Sequence, residues 1–274
     1  IFIPKIAALN NISEQEVQRI LDEINLELDY EDLGKKFYER VTATSGVKLI
    51  DFENFDNNEF HVTTELTCKS GDEEFRPDIT VLINGMPLAF IEVKKPHNQE
   101  GVIKERTRIN ERFTNKHFRR FANITQLLVF SNNMEYEDGI VEPIFGAFYA
   151  TPAYGQVSFN YFREDTDYPV QQKLKEVDEK TENDLLKDNN LIVIKNSPEY
   201  ITNKQSNTPT NRILTSLFSK ERLKFILQYA IVYVEEDVTG KVAYQKHIMR
   251  YPQLFATQAI VTKIDAGQNK GIIW

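Results

Sequence analysis

Apolar positions recur at helical spacing near the start of the chain and then change period. Val17, Ile20, Leu21, Ile24 and Leu28 lie three or four residues apart, and Ser13 to Glu16 has the Ser-x-x-Glu form of a capping box. This spacing predicts a helix from Glu14 to about Leu28. Leu33, Phe37, Tyr38 and Val41 predict a second helix that stops near Ser45-Gly46, where glycine ends a helix at little cost. The period then shortens to that of strands. Phe60 to Thr67 alternates, Asp78 to Ile83 and Leu88 to Val93 are apolar, and Asn84-Gly85-Met86-Pro87 between them has turn chemistry, so a β-hairpin is expected. A polar, basic stretch from Gln99 to Phe121 reads as one long helix. Thr125 to Phe130 and Ile144 to Tyr149 read as strands. Helix, strands, helix and strands again make the class α/β.

The second half is patterned differently. Residues 164 to 190 are charged and read as helical, and Asn203 to Asn211 (NKQSNTPTN) has the composition of a linker. A boundary is expected there, dividing the chain into 1–205 and 206–274. Ile213, Leu214, Leu217, Phe218, Leu223, Ile226, Leu227 and Ala230 form a helical face, a further helical pattern surrounds Tyr251 to Val261, and Gly271 to Trp274 is strand-like.

Composition narrows the class. With 41% hydrophobic and 27% charged residues the chain is expected to fold rather than stay disordered. Its single cysteine, Cys68, excludes an intramolecular disulfide and reads as a buried structural thiol, which suits a reducing compartment. The longest apolar run, Ile226 to Val234, falls well short of the roughly 18 residues that span a membrane, so a cytoplasmic protein without a membrane partner is expected. The chain begins with Ile and ends with a Trp after an apolar, strand-like pair, and is read as a fragment. Four scattered histidines beside one cysteine give no basis for structural zinc.

A net charge of −8 counts, taken alone, against a nucleic-acid surface. Its distribution counts the other way. Lys104, Arg108, Arg112, Lys116 and Arg120 recur every four residues, which on one helix makes a basic stripe suited to a phosphate backbone. The plain alternative is a solvated helix face partly neutralised by Glu105 and Glu111.

The candidate chemistry sits on the hairpin. Asp78 opens its first strand and Glu92-Val93-Lys94 closes its second. Pairing across the turn sets Asp78 opposite residue 91, 92 or 93. Glu92 and Lys94, two apart, project from one face, while Val93 is expected to point into the core. Two adjacent carboxylates repel unless a divalent cation binds both, and hard oxygen ligands suit magnesium. Lys94 would then orient a water or offset charge in a transition state. An exposed same-face pair beside a turn acid is the alternative. Against it stands the apolar character of Ile79, Val81, Leu82, Ala89, Phe90, Ile91 and Val93, which suits a central strand pair.

The segment RPDITVLINGMPLAFIEVKKP resembles the PD-(D/E)XK nuclease core in the form found in R subunits of type I restriction endonucleases. The resemblance implies that Asp78 and Glu92 are metal ligands, that Lys94 is the catalytic lysine, and that the Val93 carbonyl is a further ligand. Many members carry Gln-x-x-x-Tyr on the next helix. ERTRINERF has neither residue, which leaves Arg106, Arg108 or Asn110 as candidates for that space. An acid on an early helix, Glu31 or Glu39, is a candidate to complete the site. Near the end, KHIMRYPQLFATQAI resembles the approach to the RecA-like motor of the same subunits, and implies that Arg250, Tyr251 and Gln253 contact adenine. No phosphate-binding loop follows, so ATP is expected to bind only the full-length subunit. The resemblance thus implies a magnesium-dependent nuclease cutting double-stranded DNA non-specifically after ATP-driven translocation, with modification and specificity subunits as partners. A non-catalytic DNA-binding or docking module on the same fold is the alternative.

Overall fold

The computed structural model describes residues 1–95, 99–136, 146–164, 169–174, 176–238 and 241–272. Three helices open the chain: α1 (Phe2–Asn10), α2 (Glu14–Glu27) and α3 (Lys35–Val41). The predicted capping box starts α2: the Ser13 hydroxyl accepts from the Glu16 N–H, and the Glu16 carboxylate accepts from the Ser13 N–H. Five strands follow, β1 (Phe60–Thr64), β2 (Cys68–Ser70), β3 (Glu73–Phe75), β4 (Ile79–Ile83) and β5 (Met86–Val93). Next come α4 (Gln99–Thr114), α5 (Arg119–Ile124), β6 (Leu127–Ser131), β7 (Ala147–Ala150) and β8 (Asn160–Tyr161). The rest is α6 (Val170–Lys173), α7 (Glu179–Asp188), α8 (Pro198–Asn203), α9 (Pro209–Leu217), α10 (Lys220–Phe225), a π-helical turn (Ile226–Ala230), β9 (Ile231–Val238), β10 (Lys241–Ile248) and α11 (Tyr251–Asp265).

The central sheet has six strands in the order β1-β4-β5-β6-β7-β8. Among the described residues only β5 and β6 pair in parallel, across the connection that contains α4 and α5. The sheet is therefore mixed and flanked by helices, as the α/β pattern predicts. Phe90, Leu128, Phe130, Phe148 and Ala150 pack on one side with Ile109, Phe113 and Ala122 of α4 and α5. Ala89, Ile91, Leu127, Val129, Ala147 and Tyr149 pack on the other with Ile213, Leu217, Ile226 and Ala230. Burial on both faces explains why β5 and β6 read as continuous apolar runs rather than alternating ones. A third cluster joins α1, α2 and α3 to Ile83, Met86 and Leu88 at the turn end of the β4–β5 hairpin.

The structure departs from the pattern in several places. The helix expected over 99–121 stops at Thr114, because the Asn115 side chain accepts from the His117 N–H and opens a 3-10 turn over Lys116–Phe118. Residues 164–190 contain only the short α6 and α7 among the described positions. The β9–β10 hairpin lies between the two predicted helical segments, where the sequence pattern predicted no strand. Gly271 and Ile272 lie in no strand, and Ile273 and Trp274, like Ile144, lie outside the described residues. Packing runs across residue 205, since α9 and the π turn share one cluster with β4, β5, β6 and β7. Among the described residues no helix is long and apolar enough to cross a membrane.

Candidate active site

A tight turn fixes the hairpin that carries the site. Asn84 and Gly85 both have positive φ, 51° and 84°, the combination that matches a two-residue turn to the twist of antiparallel strands. Asn84 is fully buried. Its amide donates to the Leu49 carbonyl and to Asn58 Oδ1, each at 2.8 Å, and its Oδ1 accepts from the Glu59 N–H. A side chain at position 85 would meet the main-chain nitrogen of Phe2 at 2.9 Å, so only glycine fits against α1. From Ile83–Met86 the ladder passes an irregularity at Val81/Leu82 and reaches Ile79–Ile91. Continued by one residue, it sets Asp78 opposite Glu92, inside the expected range.

At the open end of the hairpin, Asp78 Oδ2 accepts from the Val93 N–H at 2.8 Å and lies 3.8 Å from Lys94 Nζ. Glu92 is 2% exposed, under α4, and its Oε1 accepts from Arg112 Nη1 at 2.7 Å. Arg112 in turn lies over the Phe75 ring, 4.9 Å from its centre. Burial pushes the Glu92 carboxyl up to about 7 against the pull of Arg112, and the charges of Asp78 and Glu105 add to the rise. Glu92, not Val93, is the buried residue. Val93 is 36% exposed, because as the last residue of β5 it lies where that face of the sheet is left uncovered, so the expectation that it points into the core is corrected.

Glu105 is the residue the sequence reading missed. It is also 2% exposed, with Oε2 3.3 Å from Lys94 Nζ and 3.4 Å from Arg108 Nη1, and Oε1 3.3 Å from Arg112 Nη1. Among the described residues no group completes a hydrogen bond to that Oε1. The signal was in the helical period: Glu105, Ile109 and Phe113 are four apart, so the face that buries the two apolar residues buries the acid too. Arg106 instead lies over the Phe159 ring, and Asn110 accepts from the Val157 N–H. Of the early acids, Glu31 pairs with Arg119 and Glu39 lies 3.9 Å from Lys35, so neither pairs with the triad.

The basic residues do not form one stripe. Lys104 and Arg108 are exposed on α4, Arg112 turns inward to Glu92, Lys116 is exposed on the 3-10 turn, and Arg120 on α5 makes two 2.6 Å bonds to Asp29. The break at Asn115 is the physical reason, since a four-residue repeat keeps one face only on a continuous helix. Arg250, Tyr251 and Gln253 stand at the start of α11, where Gln253 Oε1 accepts from the Arg250 N–H and caps its own helix. Arg250 and Gln253 line, with Lys116, Arg119, Tyr154 and Lys246, a cleft of about 1620 Å³ that includes none of Asp78, Glu92 and Lys94. Cys68 is half-buried on the β2–β3 hairpin rather than in the core, and burial raises its thiol to about 11, which keeps it protonated and unreactive.

The donors suit a hard cation: two carboxylates, at the start of one hairpin strand and the end of the other, with Glu92 buried. Among the described residues no three of His, Cys, Asp and Glu converge as a ligand set, so the protein side chains offered are Asp78 and Glu92.

Comparison with known proteins agrees with this region of the chain. Residues 2–137 match the family model for the type I restriction enzyme R protein N terminus. An MjaVIIP type I restriction enzyme endonuclease subunit from Methanocaldococcus jannaschii is 26% identical over 259 residues, 90% of this chain and 19% of the relative. The MjaVIIIP endonuclease subunit of the same organism is 31% identical over 49% of this chain and 13% of its own length. The HindI endonuclease subunit of Haemophilus influenzae is 30% identical over 35% of this chain and 8% of its own. The chain thus spans about a fifth or less of the length of these relatives.

Proposed function

We propose that this chain, which belongs through residues 2–137 to the N-terminal family of type I restriction enzyme R proteins, holds the nuclease site of such a subunit at Asp78, Glu92 and Lys94. The observation that carries the reading is the meeting of two carboxylates and an amine at the open end of a central hairpin, with Glu92 buried where an isolated carboxylate would be costly. The fold is then a PD-(D/E)XK nuclease core, and the residues after 205 lead toward a RecA-like motor in which Arg250, Tyr251 and Gln253 serve ATP. The substrate is double-stranded DNA, cut without sequence preference after translocation, and the partners are modification and specificity subunits.

Asp78 and Glu92, with the Val93 carbonyl, would hold Mg2+, which when bound acidifies a water and offsets phosphate charge. The remaining work belongs to the chain. The Val93 N–H orients Asp78, and Lys94 brings positive charge to the phosphate as negative charge builds there. Lys104, Arg108 and Lys116 present exposed charge to the DNA backbone, whereas Arg112 faces the site.

One observation favours the rival, a non-catalytic DNA-binding or docking module: Arg112 already neutralises Glu92. The two are separated by comparing the full-length subunit with its Lys94→Ala variant, each assembled with its modification and specificity partners on plasmid DNA carrying unmethylated sites. ATPase activity is expected to match, and magnesium-dependent cleavage to be lost in the variant. Equal cleavage by both proteins overturns the nuclease reading.

A further inference from the structure

Lys94 is gripped from two directions. Its ammonium lies 3.8 Å from Asp78 on the neighbouring strand and 3.3 Å from Glu105 on α4. Long lysine side chains are flexible, and an ammonium held by one partner sweeps a wide arc. Two carboxylates on different elements restrict it to the space between them. Glu105 also lies beside Arg112, which reaches on to Glu92. One buried carboxylate thus touches both cations that serve the hairpin acids. A buried carboxylate is expensive and persists where its charge is needed, and packing alone would be met as well by an apolar side chain beside Ile109 and Phe113.

We infer that Glu105 is a positioning residue of the nuclease site: it holds the Lys94 ammonium over the scissile phosphate and, through Arg112, aligns Glu92. This rests on the nuclease reading of Asp78, Glu92 and Lys94. Glu105 touches neither the substrate nor the hairpin acids and acts through the two cations.

The test uses the full-length subunit with its partners and three variants, Lys94→Ala, Glu105→Gln and the double change. Glu105→Gln keeps the shape and removes the charge. It is expected to slow single-turnover cleavage by about 10- to 100-fold, the scale set by misplacing a catalytic group by an ångström or so. ATPase activity should stay at the wild-type level; the thermal midpoint is expected to fall, because Glu105 is buried against Lys94 and Arg112, so cleavage is compared at a temperature where both proteins are folded. Residual single-turnover cleavage by the double variant should fall below that of Lys94→Ala by much less than Glu105→Gln lowers wild type, because the route through Lys94 is gone and only that through Arg112 remains. Cleavage by Glu105→Gln within twofold of wild type overturns the proposal, and so does a loss that adds fully to that of Lys94→Ala. Should Glu105→Gln fail to fold, Glu105→Asp, which keeps the charge and withdraws it by one methylene, is read by the same criteria. If Lys94→Ala itself cuts normally, the nuclease reading fails. If Lys94→Ala is inactive and Glu105→Gln is normal, only the positioning role does.

Discussion

Side chains far from the chemistry decide where Asp78 meets Glu92. Asp51 accepts hydrogen bonds from the N–H groups of Glu53 and Asn54 and from the Asn57 amide, while Asn58 is bonded both to Asp51 and to Asn84. The bond from the Asn54 N–H, ahead of the other contacts, holds the Asp51 carboxyl below its ordinary value. A depressed carboxyl stabilises the fold above its unfolded-state value, and the contribution is lost as pH falls through the folded one. Asp51→Asn should therefore lower the thermal midpoint at pH 7, with the gap from wild type closing as the medium is acidified below about pH 4; melts across that range check it. Gly85→Ala combines a strained φ with a clash against Phe2, and should cost more than about 1 kcal/mol in urea unfolding. At this scale much of the site was legible. Asn-Gly announced the turn, and counting from it brought Asp78 to Glu92. The partners of Lys94 were not legible from strand spacing, because Glu105 reaches it from a helix whose charge-rich surface drew attention outward.

Elements were read well where one period ran uninterrupted. The α2 capping box is such a case, and Ser13→Ala should cost about 1 kcal/mol by removing one side of it. They were read poorly where the period changed inside an unbroken run. Apart from Gln228 the run Ile226 to Val234 is apolar; the predicted helical face ends at Ala230, where the helical turn ends too, but β9, which begins at Ile231 with Val232 and Val234 exposed, was not predicted. Such a run gives no mark of where a helix becomes a strand. In α4 the misreading was of length, since the polar pattern continued past Asn115 while the backbone did not. That helix links stability to chemistry: Ile109 and Phe113 seat it on the sheet and thereby deliver Glu105 and Arg112 to Lys94 and Glu92. Ile109→Ala should destabilise by about 2–5 kcal/mol, as measured by denaturant melts, and should impair cleavage at temperatures where the protein is still folded.

Across the whole molecule, the two faces of the sheet are closed by segments far apart in the chain: α4 and α5 on one, and the helices after residue 205 on the other. A chain cut after residue 205 would bare Ala89, Ile91, Val129 and Tyr149, and is expected to bind a hydrophobic dye and to melt without a cooperative transition. A sharp melt of residues 1–205 would show instead that the first part folds by itself. The lone parallel pair, β5 with β6, has a further consequence for the order of assembly. The β4–β5 hairpin closes locally and quickly, so Asp78 and Glu92 come together while still hydrated. Their water is stripped only when α4 and β6 arrive over a longer loop. On that order the electrostatic cost of the site is expected to fall after the hairpin has closed. Neutralising Glu92 should then speed folding more than its position in the sheet alone would suggest, which stopped-flow refolding of Glu92→Gln would show.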